Sequence, residues 1–123
     1  MKALPLSCLV FYLVFSAAAQ AADASEKIFE LEILQGAPPA KPRVLRVEKN
    51  DSVRIRVRSE VAGEIHLHGY RLGMKLAPGT PRELAFKARA TGRYRVEWHP
   101  AGEAASKGDP HGPPLAFLEV HPK

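Results

Sequence analysis

Cysteine is almost missing from this sequence. Its single copy, Cys8, lies inside an apolar stretch near the N-terminus. That stretch, Leu4–Phe15, follows Lys2 and runs into Ser16-Ala17-Ala18-Ala19-Gln20-Ala21, the order of a basic n-region, a short apolar h-region and an A-x-A cleavage site. Residues 1–21 are therefore expected to be a cleaved signal peptide and residues 22–123 a secreted, periplasmic domain. The run falls short of the roughly 20 apolar residues that a membrane-spanning helix needs. Cys8 sits within the run rather than after it, with Pro5 three positions back, so a lipid-modified cysteine is excluded. Loss of the leader removes the only thiol, and with it disulfides, nucleophilic cysteine and thiolate metal sites.

Other absences narrow the field further. No segment has the 3.6-residue apolar period of an amphipathic helix. The serines, Ser25, Ser52, Ser59 and Ser106 among them, have no nucleophile-elbow context, and no paired carboxylates suited to glycoside chemistry stand out. The expectation is a protein that is not an enzyme. The formal net charge is +5, with Lys2 in the leader. In an exported protein such charge speaks for solubility, or for attraction to an acidic partner or an anionic membrane surface, rather than for nucleic acid.

What remains is a set of short segments with a period of two. Phe29, Leu31 and Ile33 alternate with Glu30 and Glu32, and Gly36, Pro38, Pro39 and Pro42 then break the chain. Val44–Val47 and Val53–Val57 flank the polar turn Lys49-Asn50-Asp51. Further strands are expected at Glu64–His68, Glu83–Phe86, Tyr94–His99 and Leu115–Val120, with turns at Pro78-Gly79 and Thr91-Gly92 and a long loop over Pro100–Pro114. About seven strands and no helix predict an all-β, two-sheet antiparallel or Greek-key sandwich. Arg54, Arg56 and Arg58 share one face of their strand. They fit either an ordinary wet face that discourages edge pairing or a stripe for an acidic partner protein.

The succession Val47-Glu48-Lys49-Asn50-Asp51-Ser52-Val53, Glu64-Ile65-His66-Leu67-His68-Gly69-Tyr70, Ala77-Pro78-Gly79 and Thr91-Gly92-Arg93-Tyr94-Arg95-Val96-Glu97 resembles the cupredoxin-like domains of exported bacterial proteins. The likeness spans about Glu30 to Val120 and implies a cupredoxin-like sandwich. In the copper-carrying members a cysteine stands six residues after the strand's glycine. Here that count from Gly92 reaches Trp98, so the resemblance implies neither the thiolate-copper colour nor blue-copper electron transfer.

Alternate residues on a strand project from the same face about 6.5–7 Å apart, which sets His66 beside His68. His99 ends a strand expected to neighbour theirs, the long loop carries His111, and Met74 follows the H-x-H strand. Imidazoles with or without a thioether suit copper, with zinc as a competitor. The expected function is periplasmic copper binding for handling or delivery, through His66, His68, His99, Met74 and His111. The ion would pass to an exported or membrane partner protein. The alternative is a metal-free β-sandwich module that recognises a partner through the arginine face.

Overall fold

The computed structural model describes residues 25–102 and 114–123. The proposed signal peptide, most of the Pro100–Pro114 loop and His111 lie outside these residues. Eight strands follow in order: β1 (Glu26–Ile33), β2 (Arg43–Glu48), β3 (Ser52–Ser59), β4 (Gly63–Leu67), β5 (Leu72–Leu76), β6 (Arg82–Lys87), β7 (Gly92–Pro100) and β8 (Pro114–His121). They form a three-stranded sheet, β1-β3-β6, and a five-stranded sheet, β2-β8-β7-β4-β5. Among the described residues there is no helix that is long and apolar enough to cross a membrane.

Two features differ from the sequence-based expectation. The sheets are mixed, because β1 pairs β3 and β2 pairs β8 in parallel. The chain enters the other sheet after β1 and turns back after β2. Two reversals bring β3 alongside β1 pointing the same way. The eighth strand is β5, whose Leu72, Met74 and Leu76 do alternate, but its Gly73 and its five residues weaken the pattern.

The apolar faces of the two sheets meet in one core. The smaller sheet contributes Leu31, Ile33, Val53, Ile55, Val57 and Leu84, and the larger contributes Leu45, Val47, Ile65, Leu67, Met74, Leu76, Val96, Trp98, Leu118 and Val120. Trp98 is fully buried in this core. Its indole Nε1 donates a hydrogen bond to Gly36 O at 3.0 Å, which satisfies the buried donor and ties β7 to the turn after β1. A Cβ on Gly63 would collide with Trp98 Cη2, so the ring lies directly over that glycine.

The outer face of the smaller sheet is neutralised by a cross-strand ladder. Arg54 Nε lies 2.8 Å from Glu26 and its Nη1 3.0 Å from Glu83, while Arg56 reaches Glu30 at 3.3 Å and Glu83 at 3.4 Å. Exposed pairs of this kind contribute at most about 1 kcal/mol each. Their clearer effect is on the field at the surface, since Arg54 and Arg56 face carboxylates of this chain. They also sit on the central strand of three, so the guarding of a sheet edge is not their role.

The Gly69-Tyr70 and Thr91-Gly92-Arg93-Tyr94 motifs form a single junction. Gly69 has φ +84°, and a Cβ there would lie 2.7 Å from Tyr94 Cδ1. The buried Tyr70 ring meets Tyr94 edge-on at 4.9 Å and Phe86 at 5.2 Å between ring centroids, with the Arg89 guanidinium 4.6 Å above it. Burial pushes the Tyr70 phenol above its ordinary range. The Tyr94 hydroxyl lies 3.0 Å from Ala90 O and 3.1 Å from Thr91 O, which closes the turn before β7. Gly69→Ala is expected to cost about 2–4 kcal/mol, from backbone strain plus the collision with Tyr94. Gly79, with φ +72° and no atom within 4 Å of an added Cβ, should cost about 1 kcal/mol as alanine. Urea unfolding of the two variants measures the difference.

Asp51 fixes the turn between β2 and β3. Its buried carboxylate accepts hydrogen bonds from Glu48 N and from the Ser25 hydroxyl, each 2.9 Å long. The Glu48 amide, and to a smaller extent Ser25, hold the carboxyl below its ordinary value against the opposing effect of burial. The ionised form is thus favoured in the folded state. Its stabilisation is present above the unfolded carboxyl pKa, near 4, and is lost as pH falls through the lower folded value. Asp51→Asn is expected to cost about 1–2 kcal/mol at pH 7. It should also flatten the decline in urea midpoint below about pH 4, measured against the parent protein.

Candidate metal centre

The site is created by the pairing of β4 with β7. Ile65 opposes Trp98 and Leu67 opposes Val96, and both pairs are buried in the core. Period-two alternation then sends the intervening residues to the outer face of the larger sheet. There Glu64 opposes His99 and His66 opposes Glu97. Each strand carries the same short pattern, Glu64-Ile65-His66 and Glu97-Trp98-His99, and antiparallel pairing turns the two into a square of alternating carboxylates and imidazoles.

The His66 and His99 rings meet edge-on along one diagonal, with centroids 4.9 Å apart. His66 Nε2 lies 3.1 Å from Glu64 Oε1, and His99 Nε2 lies 3.6 Å from Glu97 Oε2. Glu97 is 4% exposed although it belongs to the outer face, and Arg95 Nε stands 3.5 Å from its Oε1. Donors about 2.0–2.2 Å from one ion sit about 3 Å from each other, a spacing that Glu64 and His66 already have. Among the described residues no three of His, Cys, Asp or Glu converge as a finished cage. The arrangement is two adjacent His–carboxylate dyads, and the side chains of His66, Glu64 and His99 are 47%, 38% and 30% exposed.

The surface above is open. Glu64, His66, His68, Gly73 and Glu97 line a depression of about 820 Å3. Glu64 and His99 also border a second one, of about 450 Å3, with Gly63, Lys75 and Pro100. On the β5 side His66 faces Gly73, where a Cβ would approach Glu64 Oε1 to 3.1 Å and His66 Nε2 to 3.8 Å. The absent side chain leaves both donors uncovered.

The five residues expected to bind metal are placed differently. His66 and His99 come together. His68 lies just past the end of β4, its N–H donating to Arg95 O at 2.9 Å, and it shares the larger depression with His66. Met74 opposes Ile65 and is 5% exposed in the core, so its thioether is on the far side of the sheet from the histidines. His111 is outside the described residues. Glu64 and Glu97 were not anticipated. The repeated Glu-x-His pattern carries them, but it acquires meaning only once the two strands are in register.

No protein-family model and no curated protein matches the sequence, and the likeness lies in the fold. A copper-containing nitrite reductase from Thermus scotoductus SA-01 is 22% identical with a TM-score of 0.60, over 80% of this chain and 28% of its own. A chain from the structure of a heme-copper terminal oxidase dimer is 17% identical with a TM-score of 0.60, over 94% of this chain and 78% of its own. A copper binding protein solved in its apo form by NMR is 13% identical with a TM-score of 0.56, over 79% of this chain and 89% of its own. This chain thus spans less than a third of the nitrite reductase. The architecture is a cupredoxin-like β-sandwich of eight strands.

Proposed function

We propose that the protein binds copper through His66 and His99, with Glu64 and Glu97 as neighbouring oxygen donors, to handle or deliver the ion rather than to catalyse a reaction. The observation that carries this reading is the 4.9 Å approach of two imidazoles on adjacent strands, each beside a carboxylate, on an open face. Imidazole and carboxylate together suit divalent copper, and zinc competes for the same donors. Copper bound there would supply Lewis acidity and a redox centre. The chain's own contribution is to hold two imidazoles in register from a rigid sheet and to leave one side open for an incoming ligand.

A copper-containing nitrite reductase and a copper binding protein among the fold's neighbours support this reading. The fully buried Trp98, at the position that a blue-copper pattern would give to cysteine, argues against thiolate ligation and against electron transfer of that kind. The leader pattern over residues 1–21 points to the periplasm, and an open face suits passage of the ion to an exported or membrane partner protein. The alternative of a metal-free module meeting an acidic partner depended on an arginine stripe, and Arg54 and Arg56 are engaged by Glu26, Glu30 and Glu83.

Titration of the purified protein with Cu(II) should give a complex with weak visible absorption and a nitrogen-ligated signature in electron paramagnetic resonance. His66→Ala and His99→Ala should each weaken binding at least about tenfold, the loss of one good ligand. His121→Ala should leave it unchanged, since that side chain lies beside Glu119, away from the site. Binding should also weaken as the solution is acidified, because protons compete with the metal for its donors. Parental affinity in both the His66 and the His99 variants would refute the assignment.

A further inference from the structure

We infer that this site discriminates between the oxidation states of copper and is built for Cu(II), with little affinity for Cu(I). The inference rests on the copper-binding reading above and adds the identity of the ion's redox form. Cu(I) is a soft cation that favours thiolate and thioether ligands, whereas a mixed set of nitrogen and oxygen donors in tetragonal array favours Cu(II). Methionine and cysteine are so scarce that Met74 is the only sulfur-bearing residue after position 8. It is turned away from the site: Met74 pairs with Ile65 on the core face, while its neighbour Gly73 opposes His66 on the outer face. The β-sheet itself stands between the thioether and the imidazoles.

The oxygen donors reinforce the choice. Glu64 Oε1 stands 3.1 Å from His66 Nε2, and Glu97 Oε2 stands 3.6 Å from His99 Nε2. Carboxylates attract a dication twice as strongly as a monocation at equal distance, and the effect grows where water is excluded. Glu97 is such a place, being 4% exposed. Gly73 keeps Glu64 in play, since a Cβ there would press on its Oε1.

The test sets two competitions side by side on the same purified protein. Cu(II) is challenged with nitrilotriacetate in air, and Cu(I), supplied as such without oxygen, is challenged with bicinchoninate. Cu(II) should be held at least about 100-fold more tightly than Cu(I), as expected for a site without sulfur. Glu64→Gln should lower Cu(II) affinity about tenfold and leave Cu(I) affinity unaltered. Met74→Leu should change neither. Equal or tighter binding of Cu(I), or its weakening by Met74→Leu, overturns the inference while copper binding stands. Failure of both oxidation states to bind overturns the binding proposal and this inference together.

Discussion

The register between β4 and β7 is the constraint on which the site depends. Ile65 and Trp98 are held opposite each other because both are driven into the core, and burial of the two side chains contributes several kcal/mol. Gly63 leaves room for the indole, and Gly36 accepts its hydrogen bond. A slip of one residue would send Trp98 into water and turn Glu97 and His99 inward. The imidazoles meet on the outer face because the indole is secured on the inner one. Packing energy on one side of the sheet thereby positions chemistry on the other.

Much of this architecture is legible in the sequence because alternation is a local signal. Phe29, Leu31 and Ile33, or Val53, Ile55 and Val57, declare their inward face without reference to any partner. The parallel pairing of β1 with β3 and of β2 with β8 is another matter, since it follows from which sheet each strand joins. β5 escapes because Gly73 interrupts a pattern of only five residues. The same limit governs the site. That His66 projects from one face of its strand is local information, but its meeting with His99, and the part played by Glu64 and Glu97, depend on register. Met74 follows the H-x-H strand closely in sequence, yet strand parity puts its side chain on the opposite face.

The His-Gly-Tyr motif separates into two jobs at its glycine. His66 and His68 border the open depression, whereas Gly69 and Tyr70 belong to the aromatic junction with Tyr94 and Phe86. Gly69 admits the Tyr94 ring, and Tyr94 in turn secures the bend from which β7 departs. The junction therefore fixes where β7 begins, and with it the height at which His99 stands beside β4. A motif that reads as one unit in sequence is half the wall of an open depression and half a joint between sheets.

The place of β8 carries a consequence for how the molecule comes into being. It lies between β2 and β7, and it supplies Leu115, Leu118 and Val120 to the interior. The larger sheet thus stays in two pieces until residues as far as His121 have left the ribosome. Pairings so distant along the chain favour slow folding, and the core stays unfinished until β8 has been made. β8 acts as the keystone, and until it arrives β2 has no strand in its own sheet to pair with.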